Sequence, residues 1–318
     1  MGSTSWSTET LNARRSFKAK KNIPIFTHDS SVRSGKAKGS HVSLDSKKMK
    51  GGVRESRDSE KFTNSNAVSI FFDVTGSMQR YPISVQDQLE KMMGLLMRGS
   101  YLKDPQVLFG AVGDATCDQS PIQVGQFETG IEMHDDLTNF WLEGGGGGQT
   151  IESYELVMYF AARKVVMDCY EKRGDKGFLF IVADEQPYDY VKRVEVKAVF
   201  DDDIQANIPI KEIVEELEEK WETYILLPKG VGQHSHHKFI GEKWRELFGQ
   251  NVIEFDKDSL AETIAATIGH VKGYDVSKDV DDKVVSSVKD LVVSSSKSGQ
   301  LTSKVEGSLE ICETEGVV

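Results

Sequence analysis

The sequence is poor in cysteine and has no long apolar run. Its three cysteines, Cys117, Cys169 and Cys312, are an odd number at wide spacing in 318 residues. That excludes a disulfide framework and a cysteine-based zinc site, and it points to reduced thiols. No stretch of about 18 apolar residues exists to span a bilayer, and the first residues lack the apolar segment of a secretory signal. The expected setting is therefore cytoplasmic, with no membrane partner. Lipidation is excluded as well, because Met1-Gly2 is followed by Trp6 where a myristoylation motif requires Ser or Thr. No repeat of roughly 33 to 45 residues is visible, which excludes a solenoid or a propeller.

An apolar fraction of 38% suffices for a core. The formal charge of −11 is unevenly spread: residues 1–62 carry 14 Lys and Arg against 6 Asp and Glu, a net of +8, which leaves −19 for the rest. A basic arm of this kind either lies on its own acidic body or stays solvated, and nucleic acid is not an expected partner. The first 66 residues, rich in Ser, Lys, Arg and Gly, read as a largely extended arm. Residues 67–273 read as the folded domain. Residues 274–318 read as a polar, flexible tail in which Val280, Val284, Val288, Leu291 and Val292 form at most one weak helix.

Within the domain, short apolar β-rich runs alternate with helical patterns. Strands are expected over residues 68–73, 107–112, 122–127, 178–183, 223–227 and 252–255. Helices are expected over 85–98, 136–142, from Gln149-Thr150 to Arg173, and over 210–221, 239–248 and 260–271. This rhythm predicts an α/β fold: a doubly wound, mostly parallel, Rossmann-like sheet of about six strands with helices on both faces.

Asp73-Val74-Thr75-Gly76-Ser77 follows the first core strand, at the carboxyl end where open α/β sheets place their ligands. Alternation brings Asp73, Thr75 and Ser77 to one side as a carboxylate and two hydroxyls. These are hard oxygen donors of the kind that suits Mg2+, with Mn2+ or Ca2+ as alternatives, and not zinc or copper. The segment resembles the D-x-S-x-S element of the metal-ion-dependent adhesion site of von Willebrand factor A domains, with Thr75 in place of the first Ser. The resemblance covers roughly residues 67–272. It implies two further ligands: Thr150, after the glycine run Gly144 to Gly148, and Asp184, after the strand that ends at Ala183. Glu185 stands where many members of that family have Gly and would add negative charge beside the metal. The glycine run gives its loop wide freedom, so metal affinity is expected to be modest. Asp114 and Asp118, in the loop after the strand ending at Val112, either cap that loop or stand behind the metal ligands.

Across its length the chain also resembles cytosolic bacterial and phage von Willebrand A proteins that partner MoxR-type AAA+ ATPases. That similarity is carried by residues 54–59, by Gly113 to Asp118 and by Glu143 to Thr150. It implies a non-enzymatic adaptor in which a partner protein supplies an acidic or other oxygen ligand. The competing expectation is a structural or assembly protein, for example of a phage particle. Catalytic alternatives lack their residues. A haloacid-dehalogenase-type site would need Asp where Thr75 stands, and a phosphate loop would need Lys at Gln149 and Gly at Glu143. His234, His236 and His237 have no carboxylate or thiol partner at ligand spacing and read as a solvated loop.

Overall fold

The computed structural model describes residues 4–28, 34, 39–76, 78, 80–98, 101–142, 150–229, 236–289 and 291. In chain order the elements begin with α1 (Thr8–Lys20), β1 (Arg54–Ser56), β2 (Asn66–Asp73), α2 (Arg80–Arg98), β3 (Pro105–Val112) and β4 (Ile122–Val124). They continue with α3 (Glu132–Thr138), β5 (Ile151–Glu152), α4 (Tyr154–Arg163), β6 (Val165–Met167), α5 (Asp168–Arg173), β7 (Gly177–Val182), β8 (Gln186–Pro187) and β9 (Tyr190–Val191). The last are α6 (Arg193–Phe200), β10 (Ile208–Pro209), α7 (Ile210–Lys220), β11 (Trp221–Pro228), α8 (His236–Phe248), β12 (Val252–Phe255), α9 (Leu260–Val271) and α10 (Asp282–Val288).

The central sheet has six strands in the order β12-β11-β7-β2-β3-β4. All its pairings are parallel except β3 with β4. Because side chains alternate along a strand, each strand feeds two cores. Val68, Ile70 and Phe72 of β2, with Phe178, Phe180 and Val182 of β7, join a cluster that includes Leu89 and Met92 of α2 and Ile264 of α9. Phe71 of β2, with Leu179 and Ile181 of β7, joins the other cluster, which includes Leu156 of α4, Leu217 of α7 and Trp244 of α8. Burial on both faces explains why these strands read as unbroken apolar runs. The chain steps from β2 to β3 on one side and returns to β7 on the other, so the strand order reverses at β2. The loops after β2 and β7 consequently leave the same edge as neighbours.

Among the described residues, the segments before 67 and after 273 depart from the extended arm and flexible tail expected of them, while residues 292–318 of the expected tail lie outside the description. The N-terminal segment holds a 13-residue helix whose N-cap Ser7 accepts from Thr10 N. Arg14 of that helix pairs with Asp135 at 2.5 Å, and Arg15 donates to the carbonyl of Asp87 at 3.2 Å. The basic segment thus lies on its acidic body. Phe26 and Leu44 enter one core and Met49 the other, while β1 pairs in parallel with β6. At the other end α10 forms, and Val276, Val284, Val288 and Leu291 are buried in the first core. Tertiary burial outweighs the weak helix propensity of this Val-rich stretch.

The strands match the expected spans within a few residues, although β4 ends at Val124 and not at residue 127. The helix expected over 136–142 lies at Glu132–Thr138. The helix expected to run to Arg173 breaks after Arg163, where Val165 to Met167 form β6, as β-branched residues favour once a partner strand is at hand. Helix α6 was not anticipated. Among the described residues no helix is long and apolar enough to cross a membrane.

Candidate metal centre

Asp73 is the last residue of β2 and is fully buried. Its Oδ1 accepts from the backbone N of Thr75 at 2.7 Å and from Thr75 Oγ1 at 2.5 Å. The Thr75 hydroxyl spends its proton on Asp73, which leaves its lone pairs for another acceptor-seeking group. Asp73 Oδ2 accepts from the hydroxyl of Tyr154, the first residue of α4. The same hydroxyl accepts the backbone N–H of Asp184 at 3.4 Å. Asp184 lies two residues beyond β7 and is 7% exposed. The reversal of strand order therefore brings Asp73 and Asp184 together, although 111 positions separate them in the sequence.

Thr150 is solvent-exposed. Its carbonyl accepts from Gln186 N at 3.2 Å, and β5 runs parallel to β8, so the Thr150 loop is stitched to the Asp184 loop. Ser77 and the glycine run lie outside the described residues, as do His234 and the side chains of His236 and His237.

Asp114 and Asp118 accept hydrogen bonds from their own loop, and Asp114 also from Ser153 and Tyr188. Asp114 accepts from Thr116 N at 2.9 Å and Thr116 Oγ1 at 2.6 Å, and Asp118 Oδ2 accepts from Asp114 N at 2.7 Å. Tyr188 adds a hydroxyl to Asp114 at 3.2 Å. Loop capping is thus the role visible for both. Glu185 sits beside Asp184, and its carbonyl accepts from Trp244 Nε1 at 2.9 Å.

Two residues that sequence reading passed over belong to this crest. Tyr154 opens an apolar helix and reads as core; only its tertiary partners reveal the hydroxyl's position. Glu152 of β5 is 5% exposed, and its Oε2 has no hydrogen-bond partner among the described residues. The helix expected from Thr150 gave no sign that this carboxylate would be buried in a short strand.

The electrostatics follow from crowding. Burial, then the charge of Asp184, pushes the Asp73 carboxyl well above its ordinary range. Burial, then Asp73, pushes Glu152 up to about 9. Burial and Asp184 push Glu185 up to about 7. The strongest charge interactions on all three come from other carboxylates. Such a set of buried, mutually repelling oxygens is stabilised by protons or by a hard cation, and the donor chemistry of Asp73, Thr75 and Asp184 fits the latter. Among the described residues no three Asp, Glu, His or Cys side chains converge closely enough to enclose a metal by themselves. Hydroxyls, waters or a partner's oxygen would have to complete the shell.

No protein-family model and no curated protein matches the chain. Among solved structures it is similar to the pilus adhesin SpaC from Lactobacillus rhamnosus GG, at 8% identity and a TM-score of 0.46, over 68% of this chain and 32% of the adhesin. An open conformation of that adhesin gives a TM-score of 0.45 at the same identity, over 68% of this chain and 31% of the adhesin. Proximal thread matrix protein 1 from the mussel byssus gives 0.40 at 8% identity, over 64% of this chain and 47% of the matrix protein. The chain spans about a third of the adhesin's length. Likeness at this level carries no argument about fold or function.

Proposed function

We propose that the chain is a doubly wound domain of the von Willebrand A type that binds protein partners through a divalent cation, most naturally Mg2+, and performs no catalysis. The observation that carries this reading is the buried Asp73 carboxylate set against the charge of Asp184. Asp73 and Asp184 would supply charge, and Thr75, Ser77 and Thr150 would supply hydroxyl oxygens. When bound, the cation supplies an electrophilic coordination position for an oxygen donor from outside. The chain's own residues hold that position. Thr75 is locked by two hydrogen bonds to Asp73, and the Thr150 loop is tied by its carbonyl to Gln186 N.

The partner in this reading offers a carboxylate or another oxygen donor, and a MoxR-type AAA+ ATPase is the candidate to test first. Calorimetric titration of the full chain with MgCl2 and MnCl2 tests the cation, and a pull-down of the candidate ATPase with and without EDTA tests its use. Saturable cation binding and EDTA-sensitive capture are the expected results. Absence of saturable binding by either metal would overturn the reading.

A further inference from the structure

Asp73 closes β2 and Asp184 lies in the loop after β7, and one side chain bonds to both residues. The Tyr154 hydroxyl donates to Asp73 Oδ2 and accepts from the backbone of Asp184. Its ring is fully buried and packs edge-on against Trp244, with centroids 5.4 Å apart. Trp244 in turn donates to the carbonyl of Glu185. The hydroxyl is therefore seated by a helix and an indole, and it joins a strand end to a loop. A carboxylate offers about four lone-pair sites. Donors from Thr75 N, Thr75 Oγ1 and Tyr154 take three of those on Asp73, so Tyr154 decides which direction on Oδ2 stays open.

We propose that Tyr154 is the specificity-determining strut of the oxygen site, selecting Mg2+ over Ca2+ by tying Asp73 to the Asp184 loop. This rests on the cation reading above. Mg2+ demands near-ideal octahedral geometry at about 2.0–2.1 Å, whereas Ca2+ accepts flexible shells at about 2.3–2.6 Å. A tie that stops the Asp184 loop from drifting away from the end of β2 therefore benefits Mg2+ more. Tyr154 is a positioning residue here: it acts through Asp73 and Asp184 and needs no contact with the metal.

The test is Tyr154→Phe in the full chain, titrated separately with MgCl2 and CaCl2 by calorimetry, alongside a thermal melt. Phenylalanine keeps the ring on Trp244 and deletes only the hydroxyl. The expected result is a fall in Mg2+ affinity of about tenfold or more, the usual size for loss of a group that orients a metal ligand, with a clearly smaller fall for Ca2+. Equal losses for the two cations would mark a merely structural tyrosine and overturn the proposal, as would unchanged affinities. If neither the parent chain nor the variant binds a cation, the cation reading itself fails and the strut with it; if the parent binds and the ratio does not move, the strut alone fails. Should Tyr154→Phe not fold, Trp244→Phe is read in the same way. It keeps the hydroxyl but removes the indole that seats it, and an unchanged Mg2+/Ca2+ ratio there overturns the proposal.

Discussion

Asp73 holds Thr75 twice, through the backbone N at 2.7 Å and the hydroxyl at 2.5 Å, both on Oδ1. The carboxylate is thus at once the cap of its own turn and the charge of the proposed cation site.

Those two roles separate by substitution. Asp73→Asn retains an acceptor for Thr75 and lacks the charge, so calorimetry is expected to find no saturable Mg2+ binding while the melt stays cooperative. Asp73→Ala deprives Thr75 N of its acceptor inside the protein, in addition to the Tyr154 hydroxyl, which already faces an NH2 donor in the Asn variant. It should therefore lose about 1–3 kcal/mol in denaturant unfolding, despite relief from Asp184. An Asn variant that binds Mg2+ as the parent does would remove Asp73 from the site.

The crest makes stability pH-dependent in a defined direction. Glu152 and Glu185 have folded-state values raised to about 9 and about 7, and Asp73 is raised as well. Carboxyls raised on folding contribute stability that is fully present below their unfolded values and is lost as pH climbs through the folded ones. Melts in EDTA should accordingly fall in temperature between about pH 5 and pH 9, and Glu152→Gln should flatten the decline. Asp58, Asp168 and Asp202 act oppositely at the acid end, because hydrogen bonds to Arg173, Lys172 and Lys164 hold them low. A parent melt that does not change across the neutral-to-alkaline range would show that the crest is not under charge stress.

Described residues on both sides of 63–273 are part of the fold. A fragment confined to that range loses Phe26, Leu44, Val276, Val284 and Val288 from the first core and Met49 from the second. It should show no cooperative melt. In the full chain, Leu44→Ala should cost about 2–5 kcal/mol by urea titration, the range for a fully buried leucine. A loss below half a kcal/mol would return the N-terminal segment to the status of a loose arm.

Gly110 faces Phe71 across the β2–β3 register. A Cβ there would come within 2.1 Å of the Phe71 ring, in the middle of two paired central strands. Gly110→Ala should destabilise by about 1–3 kcal/mol or more through overpacking, and Phe71→Leu should recover part of that loss in the double variant. Additive losses would show that the two positions are not in contact.

What the sequence determined by itself was local and periodic. The apolar runs ending at Asp73 and Val182 specify strands buried on both faces, and the helices at Leu260 to Val271 and Ile210 to Lys220 follow from their own spacing. Asp73 and Asp184 were legible as candidate site residues because a carboxylate at the carboxyl end of an apolar parallel strand lies where open α/β sheets place their ligands. What only the tertiary structure decided depends on partners far apart in the chain. Leu44 looks like a stray apolar residue, and Val284 and Val288 like one face of a weak helix, until the first core takes them in. Tyr154 looks like core until its hydroxyl meets Asp73, 81 positions away. Glu152 reads as one more residue of the helix expected from Thr150, yet it lies in β5, paired with β8, and is buried. Hydrophobic periodicity reports which face of an element turns inward; it holds no information about which distant polar group waits there, because that is set by the packing of elements and not by their order.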